Sequence, residues 1–286
     1  MIRSNPVANR PMHSIRWTKL VSRARFYVLV VLVMVPFVLP FIWMLMNSFK
    51  NQRDLLAIPP VLIFAPILDN YRMILSTTQL PLYFVNSVIV AVGSTSLALL
   101  VGLPSAFVIA RFNQTRLANA ILLARILPQV SALLPWYVAF VLLHLTDTYP
   151  AMILTHTGIA LPLTIWIMIS FYEDLPKGIL DAAFIDGCSL SGAFVKIALP
   201  LSLPGIAVAT ILSLATSWNN FMLSFVVSGP NTATLPVLAY SQIAADRINF
   251  GGMAASGIVL TAPILIFTLF VQRYLIRGLT LGSGES

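Results

Sequence analysis

The sequence is short of charge. Only 9% of its 286 residues are Asp, Glu, Lys or Arg, where soluble domains carry about 25%. Acids are the scarcest, nine against seventeen Lys and Arg. With 58% hydrophobic residues and a mean hydropathy of +0.91, the chain cannot cover itself with polar surface, so it belongs in a bilayer. There is one cysteine, Cys188, which excludes an intramolecular disulfide and a metal site built from several cysteines. Three histidines, His13, His144 and His156, form no cluster in sequence with carboxylates, which weakens the case for a membrane-embedded enzyme. No G-x-x-x-x-G-K-[ST] run occurs, so ATP binding or hydrolysis by that route is not expected. There is no convincing internal repeat and no low-complexity segment.

What is present is long apolar runs. They cover roughly 26–47, 82–110, 117–143, 150–172, 204–228 and 254–276. About 20 residues are enough to span a hydrocarbon core, so the sequence predicts an all-α, polytopic membrane protein with six transmembrane helices. The first run is too long for a signal-peptide core and has no small-residue cleavage pattern, so it reads as an uncleaved helix. Domain boundaries follow: a basic tail over 1–25, a six-helix domain over 26–278 containing a polar loop at 173–204, and a short tail over 279–286. Prolines inside the runs (Pro36, Pro40, Pro104, Pro128, Pro135, Pro162 and Pro263) suggest kinked helices around a pathway, or ordinary kinks in a packed bundle.

A net charge of +8 would suggest nucleic acid in a soluble protein. Here Lys and Arg stand at the ends of apolar runs, which reads as orientation, and no nucleic-acid partner is expected. One side holds the six basic residues of the tail, Arg111, Arg116, Lys177, Lys196, Arg273 and Arg277. The other holds Lys50, Arg53, Arg72 and Arg247. The larger set marks the cytoplasm, placing both termini and the loop at 173–204 there, in a membrane expected to be a bacterial inner membrane.

That loop concentrates acids: Glu173, Asp174, Asp181 and Asp186 are four of the nine. Pro176 suits the first turn of a helix, and Gly187 suits the left-handed position after a helix end. A helix over Pro176–Asp186 is therefore expected. Ser189 then caps a second helix ending near Leu199-Pro200. Ala182 and Ala183 have little bulk, so another surface can approach the backbone closely, with Asp181 and Asp186 at the rim. From composition alone, an ordinary polar loop with a glycine turn explains the stretch equally well.

The spacing Asp181-Ala182-Ala183, three residues, Gly187, nine residues, Ile197, one residue, Leu199-Pro200 resembles the EAA loop of bacterial ABC importer permeases. The one departure is Asp181 in place of Glu. Asn86-Ser87, Asp186-Gly187, Trp218-Asn219-Asn220-Phe221 and Thr234-Leu235-Pro236 look like signatures of the carbohydrate, maltose-type branch. The resemblance runs from about Phe26 to Gly278. It implies the type I permease architecture, alternating access and import of a sugar or sugar derivative. It implies three kinds of partner: a second, similar permease, cytoplasmic ABC ATPase subunits and an extracytoplasmic solute-binding protein. The coupling residues it implies are Asp181, Ala182, Ala183, Asp186, Gly187, Ile197, Leu199 and Pro200. No catalytic residue, metal or cofactor is expected. A permease for a non-sugar solute such as a polyamine, or an ATPase-independent carrier or channel, stands as the alternative.

Asn86, Trp218, Asn219 and Asn220 are pathway candidates, although amides inside spans equally serve as helix glue. In the maltose-type systems the partner permease supplies most sugar contacts, so no firm sugar site is assigned. Arg125, inside the third run, is a functional candidate by its position; a structural role, snorkelling or pairing with a helix-end carbonyl, is the preferred reading. His144 and His156 read as polar anchors near the outer face. The outer loop over Gly229–Gly252 is a connector, or, by resemblance, an arm reaching toward the binding protein.

Overall fold

The computed structural model describes residues 12–126, 129–243 and 248–281. Residues 1–11 of the basic tail, Pro128, the segment carrying Arg247 and the last five residues lie outside the described residues. Among the described residues every regular element is helical. A long first helix, α1 (Met12–Ser48), leads into two short ones, α2 (Gln52–Leu56) and α3 (Asp69–Thr77). Then come α4 (Leu80–Arg111), α5 (Thr115–Ile126) and α6 (Gln129–Leu142). Thr148 caps α7 (Tyr149–Glu173), its side chain accepting from the Ala151 N–H.

The polar loop folds as α8 (Lys177–Ile185), α9 (Leu190–Ala193), a π turn (Phe194–Ala198) and α10 (Leu199–Leu201). The chain continues through α11 (Leu203–Trp218), α12 (Met222–Val227), α13 (Leu235–Ser241) and α14 (Phe250–Leu281). The turns at 112–114 and 174–202 share what is called here the near face; α2, α3, α13 and the turn at 143–148 lie toward the far face.

Four stretches, Arg25–Ser48, α4, α7 and Phe250–Leu269, are each long and apolar enough to cross a bilayer, and two bent pairs bring the total to six. The bent pairs depart from simple expectation. The third run is not one rod: α5 and α6 meet at 89°, and Pro128 falls at that break in the sequence. The fifth run ends as regular helix at Trp218 rather than continuing to 228. Asn219 Nδ2 donates to the Ala215 carbonyl, and Asn220 Oδ1 accepts from the Leu223 N–H. The Asn219 amide thus doubles the last ladder bond of α11, and the Asn220 side chain accepts a first-turn N–H at the start of a new helix, α12. The sixth helix begins at Phe250, earlier than the apolar run suggests.

The core lies where α4, α7 and α11 cross. Gly102 faces Thr164, and Gly205 lies so close to the Phe171 ring that any side chain there would collide with it. Both mark close helix approach, the packing device of membrane bundles. Outside this core, α1 packs against α14, with the Met44 sulfur against Gly257. No part of the α1 apolar window is buried within the chain, so its side chains are left for lipid or for another subunit.

Candidate functional site: a near-face elbow, a braced far face and a mid-span cavity

The near-face loop is built from the punctuation its sequence carries. Pro176 precedes α8 as its cap residue (ψ 112°) and Asp186 follows it, so the helix is one residue shorter at each end than Pro176–Asp186. Gly187 has φ +82°. Its N–H bonds the Phe184 carbonyl at 3.1 Å and the Cys188 N–H bonds the Ala183 carbonyl at 2.9 Å. That pair of bonds is the Schellman end, which requires the left-handed conformation glycine tolerates best. Ser189 caps α9, its hydroxyl accepting from the Gly192 N–H. After α10 the chain turns 79° into α11, with the Ser202 hydroxyl donating to the Ala198 carbonyl at 2.7 Å.

One side of α8 is keyed into the bundle. Leu180 is buried and Phe184 half-buried against a cluster holding Phe107 of α4, Tyr172 of α7 and Phe194 of the π turn. The rings of Phe107 and Phe194 lie 5.4 Å apart and those of Phe107 and Tyr172 5.5 Å apart. Arg111, the last residue of α4, donates to the Asp181 carboxylate at 2.8 Å and lies over the Phe184 ring. Ile197 packs into the same cluster, Leu199 is half-buried and Pro200 is exposed. The opposite side of α8 is bare. Ile179, Ala182, Ile185 and Asp186 face outward, and Ile185 is 86% exposed. Ala183 is half-buried between the two sides.

Of the pathway candidates, the structure gathers only some. Asn86 is fully buried. Its amide donates to the Asn231 and Ala233 carbonyls, both at 2.9 Å, and accepts from the Tyr149 hydroxyl at 2.7 Å. The adjacent Ser87 accepts from the Leu235 N–H at 2.8 Å. Asn86-Ser87 therefore ties α4 to the far-face segment and seats Thr234-Leu235-Pro236. Trp218 turns away from the asparagines: its indole N–H donates to the Leu260 carbonyl at 3.0 Å, beside Pro263. There it borders an apolar cleft of about 200 Å³ with Phe84 and Phe267. Asn219 is exposed, and Asn220 donates to Gln129 at 3.1 Å.

Two features have weaker signals in the sequence. Asp147 (φ +57°) receives hydrogen bonds from the N–H groups of Gly229, Asn231 and Thr232, the Asn231 amide and the Thr232 hydroxyl. Burial pushes its carboxyl up, but these bonds together hold it below its ordinary value. His156 is buried, and its two ring nitrogens lie 2.7 Å from Ser217 Oγ and 3.1 Å from Ser224 Oγ. It thereby staples α11 to α12 across their break. His144 occupies an exposed turn.

Between α5, α6, α7 and α11 lies a cavity of about 340 Å³, lined by Arg125, Gln129, Trp136, Thr155, Pro162 and Thr216 among others. The Arg125 guanidinium lies 5.0 Å from the Trp166 ring centre. Polar residues at 125, 129 and 216 hint at this lining, but a string of hydropathies does not say that they converge.

Comparison with known proteins adds an independent line. The model of the family described as binding-protein-dependent transport system inner membrane component matches residues 15–281. A probable ABC transporter permease protein of Sinorhizobium fredii is 30% identical, covering 86% of this chain and 90% of the relative. A sulfoquinovosyl glycerol transport system permease protein of Agrobacterium fabrum is 32% identical, over 85% and 87%. A trehalose transport system permease protein of Mycobacterium tuberculosis is 31% identical, over 86% and 91%. Among solved structures, a chain of a bacterial ABC transporter involved in import of the acidic polysaccharide alginate superposes with a TM-score of 0.71 at 17% identity. It covers 94% of this chain and 99% of that one, which supports the fold alone.

Proposed function

We propose a function on the premise that this chain belongs to the family of binding-protein-dependent transport system inner membrane components: it is the permease subunit of an ATP-driven importer of a sugar or sugar derivative. It is a non-catalytic transport subunit, with ATP hydrolysis in a separate partner. The observation that carries the sugar reading is end-to-end similarity, at 31–32% identity, to permeases named for sugar transport. The partners are a second permease, a pair of ABC ATPase subunits and an extracytoplasmic binding protein. The near face is cytoplasmic, and both termini lie on that side.

The coupling residues act as two sides of one short helix. The outward ridge Ile179–Ala182–Ile185, with successive members three residues apart, seats in the ATPase. An aliphatic side chain as exposed as Ile185 gains about 1.5–3 kcal/mol when buried, and Ala182 lets the two surfaces come close. The inward side passes the motion on. Leu180 and Phe184 bear on α4 and α7, and the Arg111–Asp181 pair fixes the angle of α8 to α4. The departure from Glu has a local use here: the shorter carboxylate is turned onto the chain's own arginine.

Solute passes along the α5–α7–α11 side, past Gln129 and Asn220. Asn86 and Trp218 serve this pathway as braces, holding the far-face segment and the Pro263 region of α14. Gly187, Ile197, Leu199 and Pro200 set the elbow that joins α8 to α11.

The test is affinity purification of the whole assembly, followed by uptake in proteoliposomes with the binding protein present. Ile185→Asp is expected to lose the ATPase subunits and uptake while keeping the partner permease. Retention of both ATPase and uptake would sink the coupling assignment, and uptake of a polyamine but no saccharide would sink the sugar reading.

A further inference from the structure

Arg125 is a cation placed halfway through the bundle. It lines the cavity together with Pro162, which is thirteen residues from the start of α7 and eleven from its end. At about 1.5 Å per residue, that is the middle of a hydrocarbon core of about 30 Å. Arg125 is in the last turn of α5, but that turn lies deep in the bundle, where snorkelling does not reach either interface.

Among the described residues no carboxylate pairs with it, and the last turn of α5, where it stands, offers only the partial negative charge of a helix end. Every acid in the sequence lies outside the membrane-spanning stretches or, for Glu173, at the near-face end of α7. Among the described residues the ion pairs are Arg72–Asp69 and Arg111–Asp181, and no hydrogen bond is made to the Arg125 guanidinium. Its guanidinium lies over the Trp166 ring, 5.0 Å from the centre. A cation over a ring face is held by the ring's quadrupole, which uses none of the guanidinium N–H groups as hydrogen-bond donors.

The rest of the lining suits a sugar ring. Trp136 is stacked on Phe140 (5.4 Å, 18°), and the absence of a side chain at Gly158 lets the indole lie against α7. Gln129 supplies an amide. Thr155 and Thr216 donate to backbone carbonyls at 2.7 Å, leaving their oxygens as acceptors for a hydroxyl. A volume of about 340 Å³ falls in the range of small-molecule sites.

We propose that this cavity is a solute subsite for an acidic saccharide, in which Arg125 takes a carboxylate or sulfonate and the ring lies against Trp136. An anion provides the counter-charge the membrane interior otherwise denies the arginine, and its two oxygens match the guanidinium fork. This rests on the carbohydrate reading and narrows it.

The experiment uses the complete assembly, with its binding protein, in proteoliposomes. The probes are a uronic-acid disaccharide and its carboxyl-reduced neutral counterpart. The wild type is expected to import the uronate. Arg125→Gln is expected to lower the uronate-to-neutral uptake ratio at least tenfold, and Arg125→Lys to fall between the two. Co-purification of the ATPase confirms that each variant assembles. An unchanged ratio, or an equal loss of both sugars, overturns the proposal, the latter by assigning Arg125 to a subunit contact. Import of the neutral sugar but not the uronate also overturns it while leaving the carbohydrate reading intact. Import of neither sugar overturns both.

Discussion

A single carboxylate organises the far face. Asp147 holds five donors from Gly229, Asn231 and Thr232, and nothing larger than glycine fits at 229 without striking it. Asp147→Ala leaves those donors without their acceptor. The expected loss is about 1–3 kcal/mol, toward the low end because the site is partly solvated. Thermal melts of the detergent-purified assembly measure it. The pH dependence has a definite sign. The folded carboxyl titrates below its ordinary 3.8, so its contribution is fully present above that value and is lost as pH falls through the lower folded one. Wild type and variant should therefore differ by a constant amount between about pH 5 and 8, and the difference should shrink only as pH falls through the lowered folded value. Gly187 is the second residue with a single-atom argument. A Cβ there would touch nothing, yet φ is +82°. Gly187→Ala should cost about 1–2 kcal/mol through backbone strain alone, and Gly187→Asn less. If a melt shows Ala to be neutral, the Schellman end is not what holds this turn.

At the scale of elements, α8 is fixed to α4 through Arg111–Asp181 and the Phe184 ring, and on the proposed coupling it would act as a lever with its fulcrum there. Arg111 and Asp181 are both partly exposed, so as a stability term their pair is worth at most about 1 kcal/mol. On the proposed coupling its role would be to set the angle of α8. Arg111→Asp or Asp181→Arg alone should uncouple ATP hydrolysis from uptake, and the double exchange should restore at least part of it. Were Asp181 instead to grip the ATPase, the exchanged pair would stay uncoupled. Such a pairing spans seventy positions, which is why spacing can identify the loop but not the carboxylate's partner. The same limit explains the pathway residues. An asparagine in an apolar run reads alike whether it lines a channel or braces a helix. Only the fold separates Asn86, fully buried and bonded to the far-face segment, from Asn220, half-buried with its amide on Gln129 beside the cavity. The loop's turns, by contrast, were legible because they are local: Pro176, Gly187 and Ser189 each act within a few residues. Pro128 hinted at a bend between α5 and α6 but not at its size of 89°, and the break at 219–221 was not legible, since averaged hydropathy counts apolar residues and is blind to direction.

For the whole molecule, six apolar runs and their flanking charges already contain the architecture, because in lipid each span must satisfy its own backbone and few alternatives exist. What the runs leave open is which face meets which solution. The near face carries α8 with its bare ridge, and the far face carries the Asp147 clasp and α13. Charge asymmetry predicts a cytoplasmic near face. Ser76, exposed on the far face, and Ser191, exposed on the near face, turn that into a measurement. With Cys188→Ser removing the native thiol, Ser76→Cys should react with a membrane-impermeant maleimide in right-side-out vesicles, and Ser191→Cys only in inverted ones. The reverse pattern would put α8 outside, where no ATP-driven motor could reach it, and the coupling role would fall with the orientation. With the expected pattern, adding purified ATPase subunits to inverted vesicles should slow labelling at 191, since the motor would then cover the surface beside Ile185.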